Sequence, residues 1–348
     1  MRRPDPLPTW DELVELAGAH GIEHLGVAPA TVLERARTAL DDRKAAGLHA
    51  DMGFTYRNPE RSTDPQRAVA GAMSVIVAAR PYRLADEPER PADSVYASVA
   101  RYAWDDHYTP LRTGLREIAR RIRRADHKAV AFADDNSLVD REVAYQGGLG
   151  WFGKNANLLV PGAGSFFVLG SVVTTAEYPP GEPVADGCGG CRRCIDACPT
   201  QAIVAPGVID ANRCLAWLVQ RPGTFPVEHR EALGDRLYGC DDCQTVCPPS
   251  VRLGPRLAAG AASHEQAWVD VLDLLDTDDA TLLERHGRWY LADRDPRWWR
   301  RNALLVLGNA GAADDPRVRA TLGRYAEGDD ELLAEHAQWA LARLGAAR

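Results

Sequence analysis

The first periodic stretch of the chain is a short amphipathic helix. Trp10, Leu13 and Ala17 share a face, Thr9 and Glu12 form a capping box, and Gly21 offers an end. Unbroken apolar runs follow. Ser74-Val-Ile-Val-Ala-Ala79 and Ala129-Val-Ala-Phe-Ala133 read as buried strands, and a helix fits residues 106–127 between them. A strand from Ser165 to Thr175 completes an α/β (α+β) domain over residues 1–180, closed by Pro179-Pro180-Gly181. Residues 181–254 form a cysteine-bearing unit. From 255 to 348 the pattern is helical: Asn302 to Leu307, then Val318, Leu322 and Tyr325 behind an Asp315-Pro316 start, then Leu333, Ala337, Ala340 and Leu344 before Gly345. Short stacked helical pairs of HEAT type fit this, and so does a plain helical cap.

Composition narrows the class. A length of 348 residues allows two or three domains with their own cores, and a net charge of −8 argues against a generally basic nucleic-acid coat. The longest uncharged stretch, Asn155 to Ala176, contains Pro161, Gly162, Gly164 and Gly170 and reads as loop plus strand, so no membrane span is expected. No leader segment is read either. The expectation is a soluble, monomeric, cytoplasmic protein.

All eight cysteines lie between Cys188 and Cys247. Cys188, Cys191, Cys194 and Cys198 before Pro199 spell C-x2-C-x2-C-x3-C-P, in which three thiolates hold one cubane and the fourth ligates the other. Cys240, Cys243 and Cys247 before Pro248 repeat the pattern with Leu237 in the first place, and Cys214 is the cysteine left over. The pairing then closes: Cys188, Cys191, Cys194 and Cys247 for one [4Fe-4S] cluster, Cys198, Cys214, Cys240 and Cys243 for the second. Disulfides would need an oxidising compartment, and structural zinc favours separated C-x2-C pairs. The protein is expected to move single electrons.

Three further constellations need weighing. Gly148-Leu-Gly-Trp-Phe-Gly153-Lys154-Asn155 nearly matches a phosphate-binding loop, but Asn155 replaces the hydroxyl and the flanking elements are in the wrong order. Its glycines are expected to let backbone approach a large flat ligand. Asp134 ends a strand, where a ligand crevice is common, with Asp135 beside it. The pair reads either as turn acids capping a helix near Ser137 or, for Asp134, as a general acid beside an apolar cofactor. Arginines concentrate at Arg112, Arg116 and Arg120 on one helix, and at Arg294, Arg297, Arg300 and Arg301 around Trp298 and Trp299. Interleaved Arg and aromatic residues suit RNA phosphates and unstacked bases, although a charged helix face is more often simply solvated.

These segments together resemble the epoxyqueuosine reductase family. The resemblance is carried by Tyr238-Gly-Cys-Asp-Asp-Cys-Gln-Thr-Val-Cys-Pro248, Gly187 through Thr200, Gly148 through Asn155, Gly164-Ser-Phe-Phe167, Ala100-Arg-Tyr-Ala103 and Arg301-Asn302 through Leu307-Gly-Asn309. It covers nearly the whole chain in order. It implies a cobalamin-binding α/β domain like those of reductive dehalogenases and cobalamin-processing proteins, a ferredoxin-like two-cluster domain and HEAT-like helices. It also implies removal of the epoxide oxygen of epoxyqueuosine in a tRNA anticodon loop, the last step to queuosine. Asp134 then takes the place of the family's proton donor, and cobalamin contacts fall on Leu158, Leu169, Asp241, Asp242 and Ala100.

On this reading electrons from an unidentified donor pass through both clusters to cobalt, Asp134 protonates the leaving oxygen, and Arg297, Arg300 and Arg301 are candidates for tRNA contact. Two departures stand out: Ser62 replaces the Arg usual three residues before Pro65, with Arg61 adjacent, and Pro249-Ser250 replaces a bulkier pair. Asp105-Asp-His107-Tyr-Thr-Pro110 lacks the glycine of a D-x-H-x-x-G motif, so His107 is not expected on cobalt. A small-molecule reductase and a non-catalytic electron carrier are the other classes open to the same residues.

Overall fold

A computed structural model describes residues 3–252, 258–261 and 267–346. A four-stranded antiparallel sheet centres the first lobe, in the order His24–Pro29, Ser74–Pro81, Phe167–Thr174, Ala129–Ala133. Ser74–Pro81 is buried almost throughout, which is why its sequence is apolar without alternation. Leu115 stands 2.7 Å from where a Cβ on Gly170 would lie, and Val77 stands 2.7 Å from where one on Gly147 would lie. Gly170 is the register partner of Ala78, and Ser171 that of Val77, so these contacts fall on opposite faces of the sheet. Tyr108–Arg123 covers one face with Leu111, Leu115, Ile118 and Ile122, while Asp140–Gln146 covers the other. Each fully buried Leu or Ile of that kind contributes roughly 1.5–3 kcal/mol.

At the N-terminus the capping box forms, with Thr9 N donating to Glu12 Oε2 at 2.7 Å and Glu12 N to Thr9 Oγ1 at 3.3 Å. Leu13 and Ala17 are buried as expected, but Trp10 lies at the helix edge against Tyr178 and remains exposed. The helix ends at Gly18, before Gly21.

The first core does not take in the whole of residues 1–180. Tyr96–Val99 leaves the first lobe, pairing parallel with Arg236–Tyr238 and antiparallel with Trp268–Asp270. Val95, Ala97, Val99, Ala103 and Trp104 share a second core with Leu237, Val271, Leu304 and Leu307. The physical reason is that a half-buried strand needs two neighbours, and its alternation does not say where they come from. The boundary at 254 lies outside the described residues.

The C-terminal helices are Val271–Asp276, Asp279–His286, Arg297–Ala310, Pro316–Ala326 and Glu331–Ala346. Val318, Leu322, Leu333, Ala337, Ala340 and Leu344 are all buried, and the last helix continues through Gly345. Gly308 lets two of these helices meet closely: a Cβ there would lie 2.8 Å from Ala340 Cα. Among the described residues no helix is long and apolar enough to cross a membrane.

Candidate active site

Cys188, Cys191, Cys194 and Cys247 line a single cavity, brought together because Cys247 packs beside Trp151 and Leu159 under the first cysteine loop. Cys198, Cys214, Cys240 and Cys243 gather separately: Cys198 opposes ionisation of Cys214, Cys214 that of Cys240, and all three that of Cys243. Burial is the first cause that raises Cys194, Cys214, Cys240, Cys243 and Cys247, pushing Cys240 up to about 12 and Cys247 to about 11. Thiolates here therefore form together with metal binding, which releases the protons. Among the described residues no three His, Cys, Asp or Glu side chains are placed to grip a single ion. The two sets of four fit multi-atom clusters, whose irons stand between thiolates.

The near-phosphate loop has a different task, which the sequence did not show. Lys154 Nζ donates to the carbonyls of Gly189 (2.7 Å) and Cys191 (2.8 Å), and Asn155 Nδ2 donates to Cys243 O at 3.0 Å. One residue braces each cysteine run. The glycines admit close protein backbone: a Cβ on Gly150 would lie 2.1 Å from Leu159 O, and one on Gly148 2.6 Å from Glu182 O. The signal that could have found this was the absence of a hydroxyl after Lys154, which removes the nucleotide role.

Asp134 follows the edge strand Ala129–Ala133 in a left-handed conformation, φ 53°, which aims its side chain off the sheet end. Its side chain is 52% exposed, and Arg112 Nη2 meets Oδ2 at 3.3 Å while Arg112 Nε donates to Ala133 O. Asp135 Oδ1 accepts from Ser137 N at 2.7 Å, and the helix expected near Ser137 starts at Asp140. Arg61, beside the substituted Ser62, donates to Ser137 Oγ at 3.1 Å and so reaches this turn. Ser250 of the other departure is fully buried against Gly164.

Phenols gather near Asp134, whose charge reaches Tyr108 and Tyr238, and Tyr102 lies within reach of both. Burial, then the charges of Asp134 and Asp140, keeps Tyr108 neutral, and burial followed by Tyr238 and Asp241 does the same for Tyr102. Asp140 itself is driven well upward by burial and then by Asp134 and Asp135, yet it remains partly accessible.

Asp241 is buried, accepting Arg101 N at 2.7 Å and Gln244 Nε2 at 3.3 Å, while Asp242 pairs with Arg236 at 2.7 Å. Ala100 N donates to Tyr238 O at 2.8 Å, which seats it beside the second cysteine run. Leu158 is buried and Leu169 half-buried. His107 Nδ1 faces Arg80 Nη1 at 3.2 Å. Arginine only donates, so the His107 proton stands on Nε2 and leaves no lone pair for a metal.

The Trp–Arg cluster is corrected by the structure. Arg301 is fully buried and donates to the carbonyls of Leu218, Arg221 and Gly223. Arg297 pairs with Asp330 at 2.6 Å and Arg300 with Asp279. Arg301 ties the cysteine lobe to the C-terminal helices, whereas Arg297 and Arg300 pair within the C-terminal part, and Trp298 and Trp299 are core. Arg116, in contrast, is exposed, with no carboxylate in ion-pair range among the described residues.

Comparison with known proteins follows this geometry. A family described as "4Fe-4S double cluster binding domain" matches residues 187–250, and "Epoxyqueuosine reductase QueG, DUF1730" matches residues 62–135. The epoxyqueuosine reductase of Vibrio cholerae is 34% identical over 92% of this chain and 88% of its own length. That of Xanthomonas campestris is 32% identical over 99% of each. A solved epoxyqueuosine reductase bound to an epoxyqueuosine-modified tRNA-Tyr stem loop superposes with TM-score 0.86 at 29% identity, covering 96% of this chain and 90% of its own. A Bacillus subtilis epoxyqueuosine reductase, with its catalytic aspartate loop swung out of the active site, gives TM-score 0.85 at the same identity and coverage. With identity above 30% along nearly its full length, the chain belongs to the epoxyqueuosine reductase family.

Proposed function

We propose that this protein reduces epoxyqueuosine to queuosine in the anticodon loop of tRNA, using electrons delivered through two [4Fe-4S] clusters to cobalamin. The observation that carries the reading is the full-length likeness to reductases of that name, one of them solved on its modified stem loop. The two sets of four cysteines support it. The reading extends to a cytoplasmic monomer, an unidentified electron donor and HEAT-like C-terminal helices.

On this reading Ala100, Leu158, Leu169, Asp241 and Asp242 contact the cofactor, and the neutral phenols of Tyr102 and Tyr108 offer it apolar faces. Asp241 and Asp242 already hold arginines, so their backbone is what remains for a ligand. Cobalamin, when bound, supplies the low-potential electron chemistry. Removing the epoxide oxygen as water also consumes two protons. Asp134 gives one to the leaving oxygen and, being exposed, reloads from solvent. Arg112 holds the carboxylate between turnovers and must release it for the reaction. RNA phosphates meet the exposed face of Tyr108–Arg123, where Arg116 stands free.

Reconstituted anaerobically with iron, sulfide and cobalamin, the protein should remove one oxygen from an epoxyqueuosine-bearing stem-loop, read by mass spectrometry. Asp134→Asn keeps the side-chain shape but delivers no proton at neutral pH, so turnover should fall by roughly 10²–10⁴ while cobalamin and RNA binding persist. Turnover within a few-fold of wild type would remove Asp134 from the mechanism. Failure of the wild type to bind the stem-loop would favour a small-molecule reductase.

A further inference from the structure

Trp151 lies in the two-residue strand Trp151–Phe152, opposite Leu159, and is 8% exposed. Its indole Nε1 is buried with no hydrogen-bond partner. Indole N–H can only donate, so it carries its full desolvation cost unless an acceptor arrives. A Cβ on Gly187 would lie 2.6 Å from Cζ2 and 3.0 Å from both Cε2 and Cη2, so the benzo edge next to Nε1 abuts this glycine. Gly187 precedes Cys188, and Trp151 lines the same cavity as Cys188, Cys191, Cys194 and Cys247. Gly187 is the residue that lets the indole ring come this close to the cysteine loop.

A [4Fe-4S] cluster in that cavity brings sulfur acceptors, both thiolate and sulfide, to a donor that has none. The second cysteine set has its own donor already, since Ala202 N points at Cys198 Sγ at 3.2 Å. We propose that Trp151 Nε1–H donates a hydrogen bond to a sulfur of the cluster held by Cys188, Cys191, Cys194 and Cys247, and thereby raises the reduction potential of that cluster. The proposal rests on the two-cluster reading. Its sign follows from charge: the reduced cluster is more negative at sulfur, so a donor favours the reduced form. Trp151 is thus a positioning residue for electron transfer, setting how readily this cluster accepts an electron.

The test is a potentiometric titration of the reconstituted holoprotein, followed by electron paramagnetic resonance. Trp151→Phe retains the aromatic filling and removes only the donor. One of the two one-electron steps should move to lower potential and the other stay. At fixed potential the reduced-to-oxidised ratio of the moved step should fall roughly threefold to tenfold, as one net hydrogen bond gives; tenfold is about 59 mV for one electron. A variant with full iron and both steps unmoved would overturn the proposal. Should the variant fail to assemble, electron–nuclear double resonance on the wild type with ¹⁵N-labelled tryptophan decides. An indole ¹⁵N coupling on one reduced cluster supports the bond, and its absence overturns it. A wild type that holds no iron would instead overturn the cluster reading beneath it.

Discussion

Cys188, Cys191 and Cys194 stand at the short spacing of one cluster loop, and Cys240 and Cys243 at that of another. They declared themselves for that reason, three ligands for one cluster and two for the second, and the remaining pairing followed by counting. Cys214 shows this most clearly. It is the replacement for the missing first cysteine of the second run, and the fold seats it with Cys198, Cys240 and Cys243. Cys214→Ala should therefore damage one cluster and spare the other, leaving about four of eight irons and one reducible signal by electron paramagnetic resonance. Both clusters intact would break the assignment. Lys154 and Arg301 were illegible for the opposite reason. Their acceptors are backbone carbonyls in distant loops, and no side-chain pattern records a carbonyl.

Elements were legible where their burial is uniform. The strand Ser74–Pro81 and the helix Tyr108–Arg123 could be placed because one is apolar throughout and the other has an unbroken apolar stripe. Tyr96–Val99 could not be assigned, because its alternating burial is satisfied by neighbours from two other parts of the chain. The arginine stripe on Tyr108–Arg123 proves mixed in use: Arg112 holds Asp134, Arg120 pairs with Glu117 at 3.4 Å, and Arg116 is left. Arg116→Ala should weaken stem-loop binding and reduce its salt slope by about one unit if it meets a phosphate. Arg300→Ala, which removes an ion pair inside the protein, should cost stability and leave that slope alone. Binding isotherms at several salt concentrations separate the two, and an unchanged slope for Arg116→Ala would place the RNA elsewhere.

For the molecule as a whole, folding couples the lobes and also sets an acid limit. Tyr96–Val99 and the donors of Arg301 join the first lobe, the cysteine lobe and the C-terminal helices. Buried imidazoles stand on both sides of these junctions. Burial, then Arg80, depresses His107 to about 4, and burial likewise depresses His336 to about 4, where Arg230 and Arg301 oppose the proton and Glu335 favours it. Both are neutral in the fold and take up a proton on unfolding below pH 6.5. A depressed histidine pKa means the unfolded state binds more protons between pH 6.5 and 4, so stability falls as pH falls through that window and levels off below it. At pH 5 each group costs about 2 kcal/mol relative to pH 8. Cluster loss in acid adds to this, so wild type alone cannot isolate the histidines. His107→Asn retains an acceptor for Arg80 and does not titrate. The difference between the thermal midpoints of this variant and the wild type should therefore shift in the variant's favour from pH 7.5 to pH 5, by several degrees, while cluster loss affects both alike. A difference that stays constant across that range would mean that His107 is not held neutral by the fold.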